Sequence, residues 1–245
     1  MSSTQRVENE PAWLLHHRPF RDTSRILDIV TRKHGRIALI ARGCRSAKSR
    51  LRGILRPFLP LNISWFIRTD LGTLTGAEMG GQPVVLTGDA LMSGFYISEL
   101  LLKLMHRHDP NPEIFDIYAA TIKGLAVRTE IEPVLRQFEM ELLRLLGYAL
   151  NLESDSESQA ALQPDKHYEY RPEQGPIEST SSDGPMVFTG DELGAICRQE
   201  FTSANTLRCA SRLLRHVIAH HLDGKELKSR KVMRELRMAS EPAPL

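Results

Sequence analysis

The chain has 245 residues, 41 % of them apolar and 25 % charged, with a net charge of +2. These are the proportions of an ordinary globular protein with room for one large or two smaller cores. No run approaches the ~18–20 apolar residues that span a bilayer, so a membrane protein is not expected. The opening MSSTQRVENEPAW lacks the layout of a secretory leader. Three scattered cysteines, Cys44, Cys197 and Cys209, fit a reducing compartment better than a disulfide framework. A cytoplasmic location is expected.

Residues 1–11 read as a disordered lead-in. From Trp13 onward short β-rich runs follow one another: RILDIVT (25–31), RIALIAR (36–42) and LNISWFIRT (61–69), the last closed by the tight-turn signal Asp70-Leu71-Gly72 before TLTGAE. About five strands within residues 12–79, with one long basic connection, predict a small closed barrel. The OB-fold is the commonest barrel of this kind that binds nucleic acid. Residues 80–87, GGQPVVLT, read as a linker.

The period then becomes helical. Helices are expected over 89–108, 112–128 and 132–148, the second and third opened by Pro112 and Pro133. Short connections suggest an antiparallel set. Residues 151–185 are acidic and rich in Ser and Pro, with a hairpin expected around Tyr168 and Tyr170. Thr189-Gly190-Asp191-Glu192 is a capping box. A long amphipathic helix (203–222) and a short one (229–237) complete a helical domain spanning 88–238, followed by a tail, 239–245. The fold class expected is α+β: a five-stranded OB barrel, then an all-helical domain.

Charge is distributed unevenly. Ile29 to Thr69 holds ten Lys or Arg and no acid. The segment ARGCRSAKSRLRG (41–53) alone carries Arg42, Arg45, Lys48, Arg50 and Arg52. A solvated loop ordinarily mixes signs, whereas a one-sided block leaves a standing positive potential. With Arg36 and Arg56 these residues are the expected DNA-binding set. Arg208, Arg212 and Arg215 form a second basic stripe on the 203–222 helix, and GKELKSRKVMRELR extends it.

Catalytic signatures are sparse: the chain has no P-loop, no dinucleotide fingerprint, no HExxH and no GxSxG. His216 and His220 share a helical face, but no Cys-x-x-Cys accompanies them to complete a zinc site. Cys44 among arginines raises the prospect of a depressed thiol pKa, without a His–Asp pair to use it. Of the aromatics in the β region (Trp13, Phe20, Phe58, Trp65, Phe66), most are expected in the core, and at most one of the neighbours Trp65 and Phe66. Neither catalysis nor a cofactor is expected. Two other readings are a Mg²⁺ nuclease using acids such as Asp89 and Glu99, and an RNA-binding or ribosome-associated OB protein. The first is weakened because residues 29–69 supply no carboxylate beside the cations.

RDTSRILDIVTRKHGRIALIARGCRSAKSRLRGILRPFLPL (21–61), RQFEMELLRLLGY (136–148) and GKELKSRKVMREL (224–236) resemble the RecO family of bacterial recombination mediators. The resemblance runs from Trp13 to about Arg237. It implies an OB-fold followed by a helical domain, binding to single- and double-stranded DNA, and annealing of complementary strands without ATP. It also implies partnership with RecR, in some bacteria with RecF, in placing RecA on DNA coated by single-stranded DNA-binding protein (SSB). Many members carry a four-cysteine zinc module after the LGY segment. Residues 151–185 here hold no cysteine, so no structural zinc is expected. The resemblance further implies a receptor for the acidic, phenylalanine-terminated SSB tail. Arg136 in LRQFE and Arg208 in NTLR occupy the matching positions as a carboxylate clamp, with Met140 and Leu143 as pocket walls.

Overall fold

In the computed structural model, which describes residues 5–67, 71–127 and 130–240, five strands close into a barrel. They are β1 (Gln5–Phe20), β2 (Ser24–Thr31), β3 (Gly35–Ala41), β4 (Leu61–Ile67) and β5 (Leu71–Met79), with a one-turn helix α1 (Leu51–Ile54) between β3 and β4. The order is β1-β2-β3-β5-β4, antiparallel except for β3–β5, and β1 pairs with β4 to remove every edge. Alternate residues point inward and build the core: Leu27 and Ile29, Ile37 and Leu39, Leu61, Ile63 and Trp65. This is the five-stranded barrel expected.

The N-terminal lead-in is different from its expectation. Residues 5–11 are the first half of a 16-residue strand, Gln5 lying opposite Ile67 and Val7 opposite Trp65. The ladder shifts between Val7 and Glu10, where Asn9 takes φ 53° and its N–H donates to Ser64 Oγ at 3.0 Å. The bulge bends the strand so that one segment can serve two neighbours. Glu10 is buried and accepts from Lys33 N at 2.7 Å. Backbone pairing, not an apolar pattern, fixes these residues. The Asp70 turn signal, Arg68 and the last residues of the tail (241–245) lie outside the described residues.

Two compact units make up the chain: Met1–Arg128 with Leu227–Leu245, and Thr129–Glu226. The first therefore contains, besides the barrel, α2 (Gly88–Leu104), α3 (Pro112–Val127) and α7 (Lys228–Ser240). Trp13 meets Tyr118 of α3 edge to face at 5.7 Å, and Arg32 donates to Asp116 at 2.7 Å. Glu99 of α2 accepts from Lys228 N, Ser229 N and Ser229 Oγ at the start of α7. α2 stops at Leu104, four residues short of the expected end. Segment 105–109 instead runs along β3, with His108 N donating to Arg36 O at 3.0 Å.

That close approach makes Gly35 irreplaceable. Its φ is +64°, and a Cβ there would overlap the backbone carbonyl of Asp109. Gly35→Ala is expected to lower the unfolding midpoint, the positive φ alone costing about 1–2 kcal/mol. Gly53→Ala, facing open space in α1, should leave it unchanged or slightly raised. Equal midpoints for the two variants in a thermal melt would refute the assignment.

The second unit holds α4 (Ile131–Leu145), α5 (Gly190–Cys197), α6 (Ala204–His221) and a small sheet ordered β7-β6-β8: β6 (His167–Arg171), β7 (Gly175–Glu178) and β8 (Val187–Thr189). α4 packs on α6 here, whereas α2 and α3 belong to the first unit. The α4 helix ends where Gly147, at φ +84°, lets Tyr148 N donate back to Leu143 O at 2.8 Å. The Thr189–Glu192 capping box is present at α5.

Candidate nucleic-acid interface

β3 ends at Ala41, and the chain leaves the barrel through a left-handed Gly43 (φ +65°). Successive turns follow: Ser46 N donates to Gly43 O, Ser49 N to Ser46 O and Arg52 N to Ser49 O, at 3.0–3.2 Å. The segment is anchored from beneath. Cys44, Leu55 and Leu59 are fully buried in the barrel core, and Leu51 and Ile54 pack against it. Arg45 N donates to Thr23 O at 2.8 Å, tying the loop to the β1–β2 turn. The apolar residues of the segment point down, and its cations are left on top.

Arg42, Arg45, Lys48, Arg50, Arg52 and Arg56 are all exposed. Among the described residues none of the six has a carboxylate partner; Arg45 Nη1 donates only to the carbonyl of Arg21, at 3.4 Å. An exposed cation without a counter-charge is already hydrated and free to exchange its counter-ions for phosphates. The tie to the β1–β2 turn also brings in Arg21, stacked at 5.2 Å over Phe20, beside one acid, Asp22. Arg21 was not in the expected set, because 20 residues separate it from the basic run. The antiparallel pairing of β2 with β3, Arg25 opposite Ala41, puts the two connections at one end.

Arg36 is a correction. It opens β3, six residues and roughly 20 Å of strand from Arg42, and its side chain is only 13 % exposed. Its Nε donates to Met105 O at 3.0 Å, and Asp28 faces it at 3.7 Å. Burial and the neighbouring Arg107 pull its pKa below the ordinary arginine value. It fastens segment 105–109 to the barrel and does not belong to the exposed cluster. Cys44 is another correction: burial outweighs Arg25 and Arg45 and pushes the thiol pKa up, away from a thiolate. Trp65 is fully buried, with His34 edge-on at 5.2 Å, and Trp13 and Phe58 are buried too. Of the five aromatics only Phe20 and Phe66 are half-exposed.

In the second unit, α4 and α6 carry the residues expected to clamp a carboxylate. Arg208 is exposed and its Nη2 donates to Asn205 Oδ1 at 3.3 Å. Arg136 is buried: its Nη1 lies 3.1 Å from Glu139 Oε2, with the two side chains 9 % and 0 % exposed. Its Nε has no hydrogen-bond acceptor. Met140 is half-buried, whereas Leu143 is completely buried, a core residue and not the wall of an open pocket.

Residues 4–82 match the family model described as Recombination protein O N terminal, and residues 86–231 match Recombination protein O C terminal. The chain belongs to the RecO family. Among curated relatives, each named DNA repair protein RecO, that of Aromatoleum aromaticum is 41 % identical over 238 residues, covering 96 % of this chain and 99 % of its own. That of Azoarcus sp. (strain BH72) is 42 % identical over 241 residues, covering 96 % and 99 %. That of Coxiella burnetii (strain CbuG_Q212) is 40 % identical over 230 residues, covering 94 % and 99 %.

For this RecO-family DNA repair protein the other candidate sites are used structurally. Both carboxylate oxygens of Glu99 are taken by the first residues of α7, and Asp89 lies ten residues away on the same helix, about 15 Å along its axis. His220 meets Glu173 at 3.1 Å, and His216 is exposed. Among the described residues no three His, Cys, Asp or Glu side chains stand together as a metal site. None of the described helices is long and apolar enough to cross a membrane.

Within residues 151–185 this RecO member has a hydrogen-bonded polar knot. Asp155, buried, accepts from Ser158 N (2.6 Å), Ser158 Oγ (2.7 Å), Glu157 N (3.1 Å) and Glu178 N (2.7 Å). These bonds, those from Ser158 first, hold its pKa below the ordinary carboxylate value. Tyr168 and Tyr170 of the expected hairpin are buried on β6. The acidic insertion is thus an ordered sheet stapled by one carboxylate.

Proposed function

We propose that this protein binds single- and double-stranded DNA through the loop from Arg42 to Arg56 and anneals complementary strands without nucleotide hydrolysis. With RecR it helps load RecA onto SSB-coated single-stranded DNA, in the cytoplasm on the nucleoid. The observation that carries this reading is the set of six exposed cations without carboxylate partners on a segment pinned to a closed barrel. Such a surface grips phosphates and leaves base edges free, as annealing requires. No catalytic step and no cofactor enter the reading.

The SSB tail docks on the α4–α6 pair. Arg208 offers an exposed guanidinium, and the Arg136 Nε–H is an orphan donor that a carboxylate would satisfy. The experiment is annealing of complementary oligonucleotides precoated with SSB, with no nucleotide present. The protein should accelerate annealing, and matched RNA strands should compete poorly. If annealing does not accelerate, the mediator reading fails; if RNA competes equally or better, the RNA-binding alternative takes its place.

A further inference from the structure

A separate pocket of about 240 Å³ lies in the second unit at the C-terminal ends of α4 and α6. Tyr148, just past α4, stacks on His221 at the end of α6, ring centroids 3.9 Å apart and 19° from parallel. Val217 adds an apolar side chain to the lining. The β6–β7 turn, with Glu173 and Gln174, and Tyr170 line the pocket as well. The turn is held rigidly: Gly175 fits against Asn151 and Ser156, where a Cβ would meet Ser156 Oγ at 2.7 Å, and Ser156 Oγ donates to Gln174 O.

Four observations define what this pocket accepts. Its lining contains one carboxylate, Glu173, and no Lys or Arg. His221 adds no positive charge at neutral pH, since burial and the neighbouring His220 lower its pKa. Both helices end here, and helix C-termini favour cations. Most telling is Tyr170: the residue is 96 % buried by its 4 % exposure, it lines the pocket, and among the described residues its hydroxyl has no hydrogen-bond partner. Its neighbour Tyr168 uses its hydroxyl, accepting from Gln163 N at 2.9 Å. Burial raises the Tyr170 phenol to about 12, so it stays neutral and its oxygen is available as an acceptor.

We propose that this pocket receives the guanidinium of an arginine side chain presented by a partner protein. Tyr148, stacked on one face only, offers the other face for a planar cation. Glu173, whose Oε1 meets His220 at 3.1 Å, takes one edge of the fork through Oε2, and Tyr170 Oη and the Gln174 carboxamide oxygen accept from the remaining N–H groups. The volume is below that of pockets enclosing whole drug-sized ligands, and suits the end of a side chain. The site is independent of the basic loop, so its fate does not depend on the DNA-binding reading.

The test uses the full-length protein and the blocked amides of arginine, citrulline and lysine, titrated by calorimetry and followed by the shift of the Gln174 side-chain amide in NMR. Citrulline has the shape of arginine without the charge, and lysine the charge without the planar fork. Arginine amide should bind at least about fivefold more tightly than either. Tyr170→Phe and Glu173→Gln should each weaken it by about fivefold or more. The unfolding midpoint should be unchanged in Tyr170→Phe, since among the described residues Tyr170 Oη has no internal partner to lose, whereas Glu173→Gln also gives up the ion pair with His220. Equal binding of arginine and citrulline amides overturns the proposal, as does unaltered affinity in both variants. Equal binding of lysine amide overturns the planar fork.

Discussion

Replacing Arg45, Lys48 and Arg50 together by Glu is expected to lower affinity for both single- and double-stranded DNA by at least about 100-fold near physiological salt. The plot of log affinity against log salt should flatten by about 2 for single strands and about 3 for duplex. These figures follow from ~0.7 and ~0.9 counter-ions released per phosphate contact. The side chains are exposed, and among the described residues their one internal bond is Arg45 to the Arg21 carbonyl at 3.4 Å. Unfolding should therefore stay near the parent midpoint, with Cys44 and Leu55 still seated in the core. Arg36→Gln supplies the contrast. Removing a cation that holds Met105 O and faces Asp28 should cost stability and leave the salt slope as it was. Fluorescence anisotropy at four salt concentrations decides both. An unchanged slope in the triple variant would show that the loop's charge is only solvated.

Arg136→Ala is expected to destabilise the protein by about 3–5 kcal/mol, the usual cost of breaking a buried ion pair from one side. The reason is Glu139, whose side chain is 0 % exposed and has the Arg136 guanidinium 3.1 Å away. Taking that cation away removes an ion-pair partner 3.1 Å from a buried carboxylate. Arg136→Met combined with Glu139→Leu should recover most of the loss, because apolar groups of similar volume can replace a buried pair at little net cost. Urea unfolding of the three proteins measures this. A parent-like midpoint for Arg136→Ala would mean that the pair contributes nothing. The consequence for partner binding is practical: loss of SSB-tail affinity in Arg136→Ala conflates unfolding with a lost contact. Arg208→Ala does not, since that side chain is exposed and bonded only to Asn205. Weaker tail binding with unchanged single-stranded DNA binding in Arg208→Ala supports the docking face on α4–α6.

Periodicity within the chain was enough to place most elements. Ile29, Ile37, Leu39, Ile63 and Trp65 alternate because a barrel strand has one wet and one dry face, and that alternation is written locally. The helices from Pro112 and near Pro133, the stop at Gly147 and the Thr189–Glu192 cap are local chemistry too. So is the charge of the Arg42–Arg56 run: a block with no acid within it cannot neutralise itself, whatever the fold. What the sequence could not determine is which distant residues meet. Arg36 and Arg42 look equivalent in a charge count, but they stand at opposite ends of one strand, one beneath the segment 105–109 and the other in solvent. The strand at 5–11 is polar and is fixed by backbone pairing with β4, which no side-chain pattern announces. Arg136 has two glutamates at neighbouring helical positions, Glu132 (i−4) and Glu139 (i+3), and only packing selects Glu139 and buries the pair. Tyr168 and Tyr170 are alternate residues of one strand, alike in sequence. Tertiary structure gives one hydroxyl a backbone donor and leaves the other open to a pocket, because hydrogen-bond satisfaction depends on what the rest of the chain brings within 3 Å.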